Sequence, residues 1–483
     1  METTRRYRLS WKTNWIMKAS EFDRTQKWVL ILTSIATLMA MLDAMVVATA
    51  TSAIRADLGA SLSALQWTMN AYNLSLAALL MTGAALGDRF GRRRVFVTGL
   101  CVFVAASIAC ALARSAEWLI AARVVQGAGG ALVTPLSMAL LSAAFPPERR
   151  GKALGLFGGI TGLALILGPV LGGVIAGNLP WQWIFWLNVP IGLPLIVLAV
   201  RRIPDSKGPA AALDIPGALL VMGASIGLVW GLMRGSSKGW SDSEAPLALV
   251  VGAAFMICFV LWERRAKHPM IPMRLFASRA FSSGIAACFL FYAGMYGVVF
   301  FLPQFFQSAQ GHDPFAAGLR LLPWTVTLFF IAPLAGNMVD RIGERSVMVT
   351  GLLLQAIGFA WIAWAASPGT SYLNLVAPLV ISGAGISMAG PAAQKAVLGA
   401  VTVQDIGKAS GVFNMFRILG GATGIAIAVV AFSVWGNLGS EKDFSEGFAH
   451  VMGVCAVLSM AAVLSATRQP THRAATAAQS ANL

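Results

Sequence analysis

Apolar residues fall along this chain in blocks of about twenty, separated by short polar stretches rich in Arg, Gly and Pro. A helix rising ~1.5 Å per residue needs about that length to cross ~30 Å of hydrocarbon. Fourteen spans are predicted, at 28–50, 64–86, 95–113, 118–141, 153–177, 184–200, 215–233, 245–262, 282–306, 316–339, 347–366, 372–394, 408–435 and 448–466. The fold class this predicts is an all-α polytopic membrane protein.

Two sets of motifs recur. "GDRFGRRRVF" (87–96) is answered by "GNMVDRIGERSV" (336–347), so that Asp88, Arg89, Gly91 and Arg93 correspond to Asp340, Arg341, Gly343 and Arg345 at an offset of 252. "QGAGGALVTP" (126–135) is answered by "SGAGISMAGP" (382–391) at an offset of 256. Two similar offsets from unrelated motifs predict two six-helix halves, 28–200 and 281–466. Between them lies a linker, 201–280, carrying two inserted spans at 215–233 and 245–262, and the tails are 1–27 and 467–483. Paired repeats rocking about a central site are a common build of secondary transporters.

Charge fixes the expected orientation. With the N-terminus inside, the inner segments hold 28 of the 36 Lys and Arg and the outer loops hold six. This is the positive-inside pattern, and it places both tails in the cytoplasm and the chain in the cytoplasmic membrane. The net charge of +16 is then accounted for by loops facing anionic lipid, without nucleic acid as a partner. The basic tail "RRYRLSWKTNWIMK" reads equally as an interfacial helix, a leader, or residues upstream of a start at Met17.

The composition is 57% hydrophobic and 12% charged, with mean hydropathy +0.72. The five cysteines lie in apolar runs, and there is no metal-spaced set, nucleophile elbow or GxxxxGK[ST] phosphate loop. No enzyme, cofactor or metal site is therefore expected, and uphill movement would draw on an ion gradient.

Asp43, in "LMAMLDAMVVATA" (38–50), is the only one of twenty acidic residues well inside a predicted span, and Arg123 and Arg417 are the only bases so placed. Intramembrane ionisable groups are costly, and functional by default. Helix rise puts Asp43 about 22 Å from the inner end of its span and Arg123 roughly 8 Å below the outer surface, depths that coincide. The two can therefore meet, directly or through Gln126. Desolvation favours the neutral acid and a guanidinium favours the carboxylate, so a cavity that opens and closes would load and unload a proton at Asp43. A permanent ion pair or a counter-ion for a cationic substrate are the other readings. Arg417, near Asn414, either binds an anionic substrate or satisfies backbone carbonyls.

The tight Asp-and-Arg turn has a physical use as a conformational latch, formed by Asp88, Arg89, Gly91, Arg92, Arg93, Asp340 and Arg341. Acid–guanidinium contacts there close one face and must break for the other. Gly168, Pro169, Gly172 and Gly173 allow close, bendable helix packing. A substrate pocket between the halves would draw on Trp67, Asn70, Tyr72 and Asn73, and on Phe291, Tyr292, Met295 and Tyr296, as an adaptable apolar surface.

"GDRFGRRR" resembles the hallmark loop of the major facilitator superfamily, with Ala84 where that motif usually opens with glycine. "LDAMVVATA", "ARVVQGAGGALVTP" (122–135) and "GLALILGPVLGGVIAG" (162–177) resemble the acidic, span-four arginine and antiporter motifs of its fourteen-helix drug:proton antiporter branch. Ala48, Thr49 and Ala164 depart from the usual residues. The resemblance runs from about residue 28 to 466. It implies two six-helix halves plus two inserted helices, a monomer, and proton-coupled efflux of drugs or antibiotics, with a dedicated exporter of one metabolite as the alternative.

Overall fold

A computed structural model describes residues 22–207, 214–238, 243–267, 269, 271–401 and 405–469. The basic tail through residue 21 and the end of the chain from residue 470 lie outside the described residues. All fourteen predicted spans are helical: α1 (Arg24–Thr49), α2 (Leu62–Phe90), α3 (Arg92–Ala111), α4 (Ala116–Ala144), α5 (Pro147–Gly162, continued by Ala164–Asn178), α6 (Trp183–Trp186, continued by Asn188–Arg202), α7 (Ile215–Lys238), α8 (Glu244–Arg265), α9 (Arg279–Gln304), α10 (Leu322–Ile342), α11 (Glu344–Ala365), α12 (Tyr372–Gly399), α13 (Ile406–Trp435) and α14 (Glu441–Thr467). Twelve helices are, among the described residues, long and apolar enough to cross a membrane. Of the fourteen spans, α5 and α10 fall outside that set. At Leu163 a tight turn, in which its N–H bonds to the carbonyl of Ile160 at 3.2 Å, divides α5 into two helical segments.

Helix ends follow local chemistry. Asp23 and Gln26 form a reciprocal capping box that starts α1, with Gln26 N–H donating to the Asp23 carboxylate at 2.7 Å. Gly91 both ends α2 and starts α3 at φ +107°, and Gly343 does the same between α10 and α11 at φ +87°. Only glycine adopts these angles without a steric penalty, so the repeated Asp-Arg-x-Gly motif has the same backbone geometry in each half.

Each half also repeats one close crossing. A Cβ added at Gly129 of α4 would lie 2.7 Å from the backbone N of Phe103 in α3, and one at Gly351 of α11 2.7 Å from the backbone N of Ala389 in α12. In lipid, where apolar side chains gain little by leaving the solvent, such approaches and dispersion hold helices together. Aromatic stacking contributes in the C-terminal half, where the Phe305 and Phe448 rings lie 4.3 Å apart at 15°.

The halves meet along three lines. α2 packs on α13, α1 touches α9, and the second segment of α5 packs on the short helix Pro314–Arg320. The last contact and the bond from Gln307 Nε2 to the Thr49 carbonyl (3.1 Å) join the halves on the face opposite the termini. The inserted pair α7 and α8 stands beside the α2–α13 seam, with α7 touching both helices. Asp214 accepts from the N–H of Gly217 at the start of α7 (2.8 Å) and from Trp262 Nε1 near the end of α8 (2.7 Å), closing this hairpin at one end. The outward side chains of α8, such as Leu247, Val250 and Ile257, are exposed to the membrane region.

Candidate functional site

The N-terminal half buries a polar cluster at mid-span. Asp43 of α1 is 3% exposed and Arg123 of α4 is 1% exposed. The Arg123 guanidinium forms an ion pair directly with Asp43. Its Nε donates to the Thr68 carbonyl of α2 at 3.0 Å, and a terminal nitrogen to Gln126 Oε1 at 2.7 Å. Gln126 Nε2 returns a bond to Asp43 at 2.8 Å and another to Ser107 Oγ of α3 at 2.8 Å. Asn188 of α6 donates to Asp43 at 2.8 Å and to Ser107 at 3.2 Å. Five helices thus converge on one carboxylate.

Tyr72 of α2 closes one side of this cluster. Its ring lies under the Arg123 guanidinium at 4.3 Å and its hydroxyl donates to the Ala40 carbonyl at 3.1 Å. Phe185 flanks the same cation at 5.7 Å. The expected meeting of Asp43, Arg123 and Gln126 is present. Ser107 and Asn188 were not anticipated from the sequence, where a lone Ser and the Asn of "WLNVP" carry no distinguishing spacing. Asp43 accepts from three donors, two on one oxygen and Arg123 on the other, and its charge is matched.

The loop residues occupy the terminal face. Asp88 pairs with Arg92 at 2.8 Å, four residues along, and Arg92 also reaches the Ala139 carbonyl at 3.5 Å. Arg93 donates to the carbonyls of Val200 and Ile203. Asp205, which the sequence did not single out, accepts the Arg93 N–H at 3.2 Å and pairs with Arg94 at 3.4 Å. These contacts tie α2, α3, α4 and α6 within one half, and none of them reaches across to the other half. Arg89 and Arg341 are exposed, and the side chain of Asp340 lies outside the described residues.

The glycines of α5 make interfaces in both directions. A Cβ at Gly172 would lie 2.9 Å from the Val46 carbonyl oxygen in α1, and one at Gly173 2.5 Å from the Pro314 carbonyl oxygen in the other half. Gly168 faces Met45; the side chain of Pro169 lies outside the described residues.

The expected substrate residues do not form one set. Met295 lines an apolar cavity between the halves with Met45, Thr49, Leu302, Trp324 and Ile386. Tyr292 and Tyr296 are partly exposed on α9, and the Arg417 guanidinium of α13 lies 5.8 Å from the Tyr292 ring. Phe291 is buried against Tyr292, with ring centres 4.5 Å apart. Asn414 bonds to its own helix, at the Ser410 carbonyl. Asn70 is buried with both side-chain polar atoms unpartnered, as is Gln66 one turn earlier, while Asn73 is buried nearby. Trp67 departs from expectation: it faces Trp230 of α7 at 5.8 Å in a groove between α2, α4 and α7, away from the space between the halves. A further buried acid, Glu263 at the end of α8, accepts the Ile271 N–H at 3.0 Å and shapes the linker.

Two repeated helical halves in contact along their seam and a buried charge pair define a polytopic membrane carrier. The chain belongs to the Major Facilitator Superfamily, whose family model matches residues 33–424 and 284–482. Multidrug resistance protein Stp of Mycobacterium tuberculosis is 32% identical over 416 residues, covering 86% of this chain and 77% of that one. The methylenomycin A resistance protein of Streptomyces coelicolor is 34% identical, covering 87% and 90%. Among solved structures, a D-xylose–proton symporter shares the fold with TM-score 0.65 at 18% identity, covering 92% of this chain and 98% of that one.

Proposed function

We propose that this chain exports hydrophobic or amphipathic compounds, drugs or antibiotics among them, in exchange for protons by alternating access. The observation that carries the proposal is the single mid-span carboxylate, Asp43, held by Arg123 and Gln126 of α4 and by Asn188 of α6. The ionised acid accepts from all three donors. Protonation removes the charge that holds Arg123 and turns one accepting oxygen into a donor. Gln126 and Asn188 must then reorient, and α1, α4 and α6 lose their shared anchor. A two-state packing change driven by one proton is the kind of coupling alternating access requires.

The asymmetry of Lys and Arg supports cytoplasmic termini, and the face where Gln307 meets Thr49 is then the outer one. Protons would reach Asp43 from outside as substrate departs there, and leave toward the cytoplasm as the next substrate binds from inside. The relatives' names divide between multidrug resistance and resistance to a single antibiotic. Export of one compound is therefore the second reading, and a panel of cationic, neutral and anionic antibiotics separates the two.

The test is substrate-induced proton release in everted vesicles energised to an acid interior. Wild type should respond to at least one compound, and Asp43→Asn should bind that compound without releasing protons. Undiminished proton exchange in Asp43→Asn would remove Asp43 from the coupling mechanism.

A further inference from the structure

The C-terminal half contains the other mid-span guanidinium, and its surroundings are unlike those of Arg123. Arg417 is partly exposed, its Nε has no hydrogen-bond partner, and it makes no ion pair among the described residues. Of the helices packed on α13, α7, α9 and α12 contain no Asp or Glu, Asp88 of α2 is paired with Arg92, and the acids of α14 lie in its first two turns. Asp43 is committed to its own partners and lies behind Tyr72. The open formal charge on this side of the inter-half space is therefore positive.

Arg417 stands at the foot of an aromatic ladder. Its guanidinium faces the Tyr292 ring at 5.8 Å, and the rings of Tyr292 and Tyr296 are 6.4 Å apart, inclined at 57°. Gly421, one turn beyond Arg417, lets α13 press on the second ring, since a Cβ there would lie 2.9 Å from the Tyr296 ring. Tyr292 in turn approaches α12 near Gly390. The result is a cation with an unpartnered Nε, set beside the Tyr292 hydroxyl and the faces of two tyrosine rings. An unmatched guanidinium at this depth is costly, and its planar fork of donors suits a carboxylate, sulfonate or phenolate.

We propose that Arg417, with Tyr292 and Tyr296, forms the subsite for the acidic group of an aromatic substrate, the anion resting on the guanidinium and the ring system on the tyrosines. The assignment rests on the export reading for its biological role, and it narrows that reading to aromatic compounds bearing a negative charge. Hydrophobic cations would be disfavoured at this subsite.

A matched pair of fluorescent probes tests it: pyrene-1-sulfonate and a pyrene bearing a trimethylammonium group, titrated against purified protein in nanodiscs, with empty nanodiscs subtracted. A charge-assisted bond of ordinary strength predicts at least about tenfold tighter binding of the sulfonate. Arg417→Gln should abolish that preference by weakening sulfonate binding while binding of the ammonium probe stays as tight or becomes tighter, since the like charge facing it is gone. Arg417→Lys, which keeps the charge and loses the fork, should retain part of it, and it is the informative variant if the glutamine protein does not fold. Equal affinity of wild type for both probes, or equal losses for both in Arg417→Gln, would overturn the assignment. Binding needs no gradient, so the two readings fail separately. A charge preference without drug-stimulated proton release would count against export alone, and export confined to cations would count against the subsite alone.

Discussion

Arg123 and Arg417 are the two guanidinium groups set within spans, one in each half and on helices that do not correspond in the repeat (α4 and α13), and they sit in opposite electrostatic situations. Arg123 is sealed, with its charge matched by Asp43, its donors taken by Thr68 and Gln126, and its face covered by Tyr72. Arg417 has the Tyr292 hydroxyl, the edge of an aromatic ladder and an unpartnered Nε, with no carboxylate beside it among the described residues. The difference lies in the neighbouring helices. α1 carries an acid at mid-span, while its counterpart α9 carries tyrosines and no acid. One half is built to hold a charge that is internal to the protein. The other is built to leave a charge available. Duplication thus supplied a common frame, and divergence at a few inward positions made one half an ion-coupling element and the other a binding face.

The largest effect that would sharpen this contrast is on stability. Arg123→Leu leaves Asp43 buried without a counter-ion and should cost about 3–5 kcal/mol, whereas Asp43→Leu combined with Arg123→Leu should recover most of that loss. Arg417→Leu breaks no ion pair and should cost about 1 kcal/mol or less. Thermal unfolding of the purified variants measures all three. Equal costs at the two arginines would mean that Arg417 has a structural partner, and the comparison would collapse.

A smaller loss is expected from Asn188→Ala, which deletes one donor to Asp43 and one to Ser107. Removing a hydrogen bond to a charged group should cost about 1.5–3 kcal/mol, and the pH dependence of proton release should shift along with the stability. A variant with unaltered stability and proton release would place Asn188 outside the coupling network. The smallest effect concerns the groove at the inserted pair. Trp230→Ala removes the ring facing Trp67 and should cost about 1 kcal/mol with drug-stimulated proton release unchanged. A fall in release would bring that groove into the transport path.

Much of the architecture was legible because it depends on local signals. Apolar run length, the repeated Asp-Arg-x-Gly turn and the basic loops each state a physical requirement within a few residues of chain, and the spans they predict are helical in the structure. The α5 break at Leu163 was not legible, since a tight turn keeps nearly all of a helix's apolar pattern. The same holds for Asp205 and Glu263, which lie in or beside polar linkers where an acid draws no notice until its partners are known.

Asp43 and Arg123 stood out in the sequence because a charge in an apolar run has few innocent explanations. Their direct pairing, with 80 positions between them, agrees with depth arithmetic, but Ser107 and Asn188 could be found only by their positions in space. Trp67 shows the deeper reason. In water, a helix reveals its buried face by polar residues on the other side. In a bilayer both the lipid and the protein interior are apolar, so helix length and charge placement are written in the sequence while the direction each face points is not. The sequence alone therefore determined the spans, the repeat and the presence of three mid-span charges. Tertiary packing decided which charge was matched, which was left open, and which aromatic rings face the space between the halves.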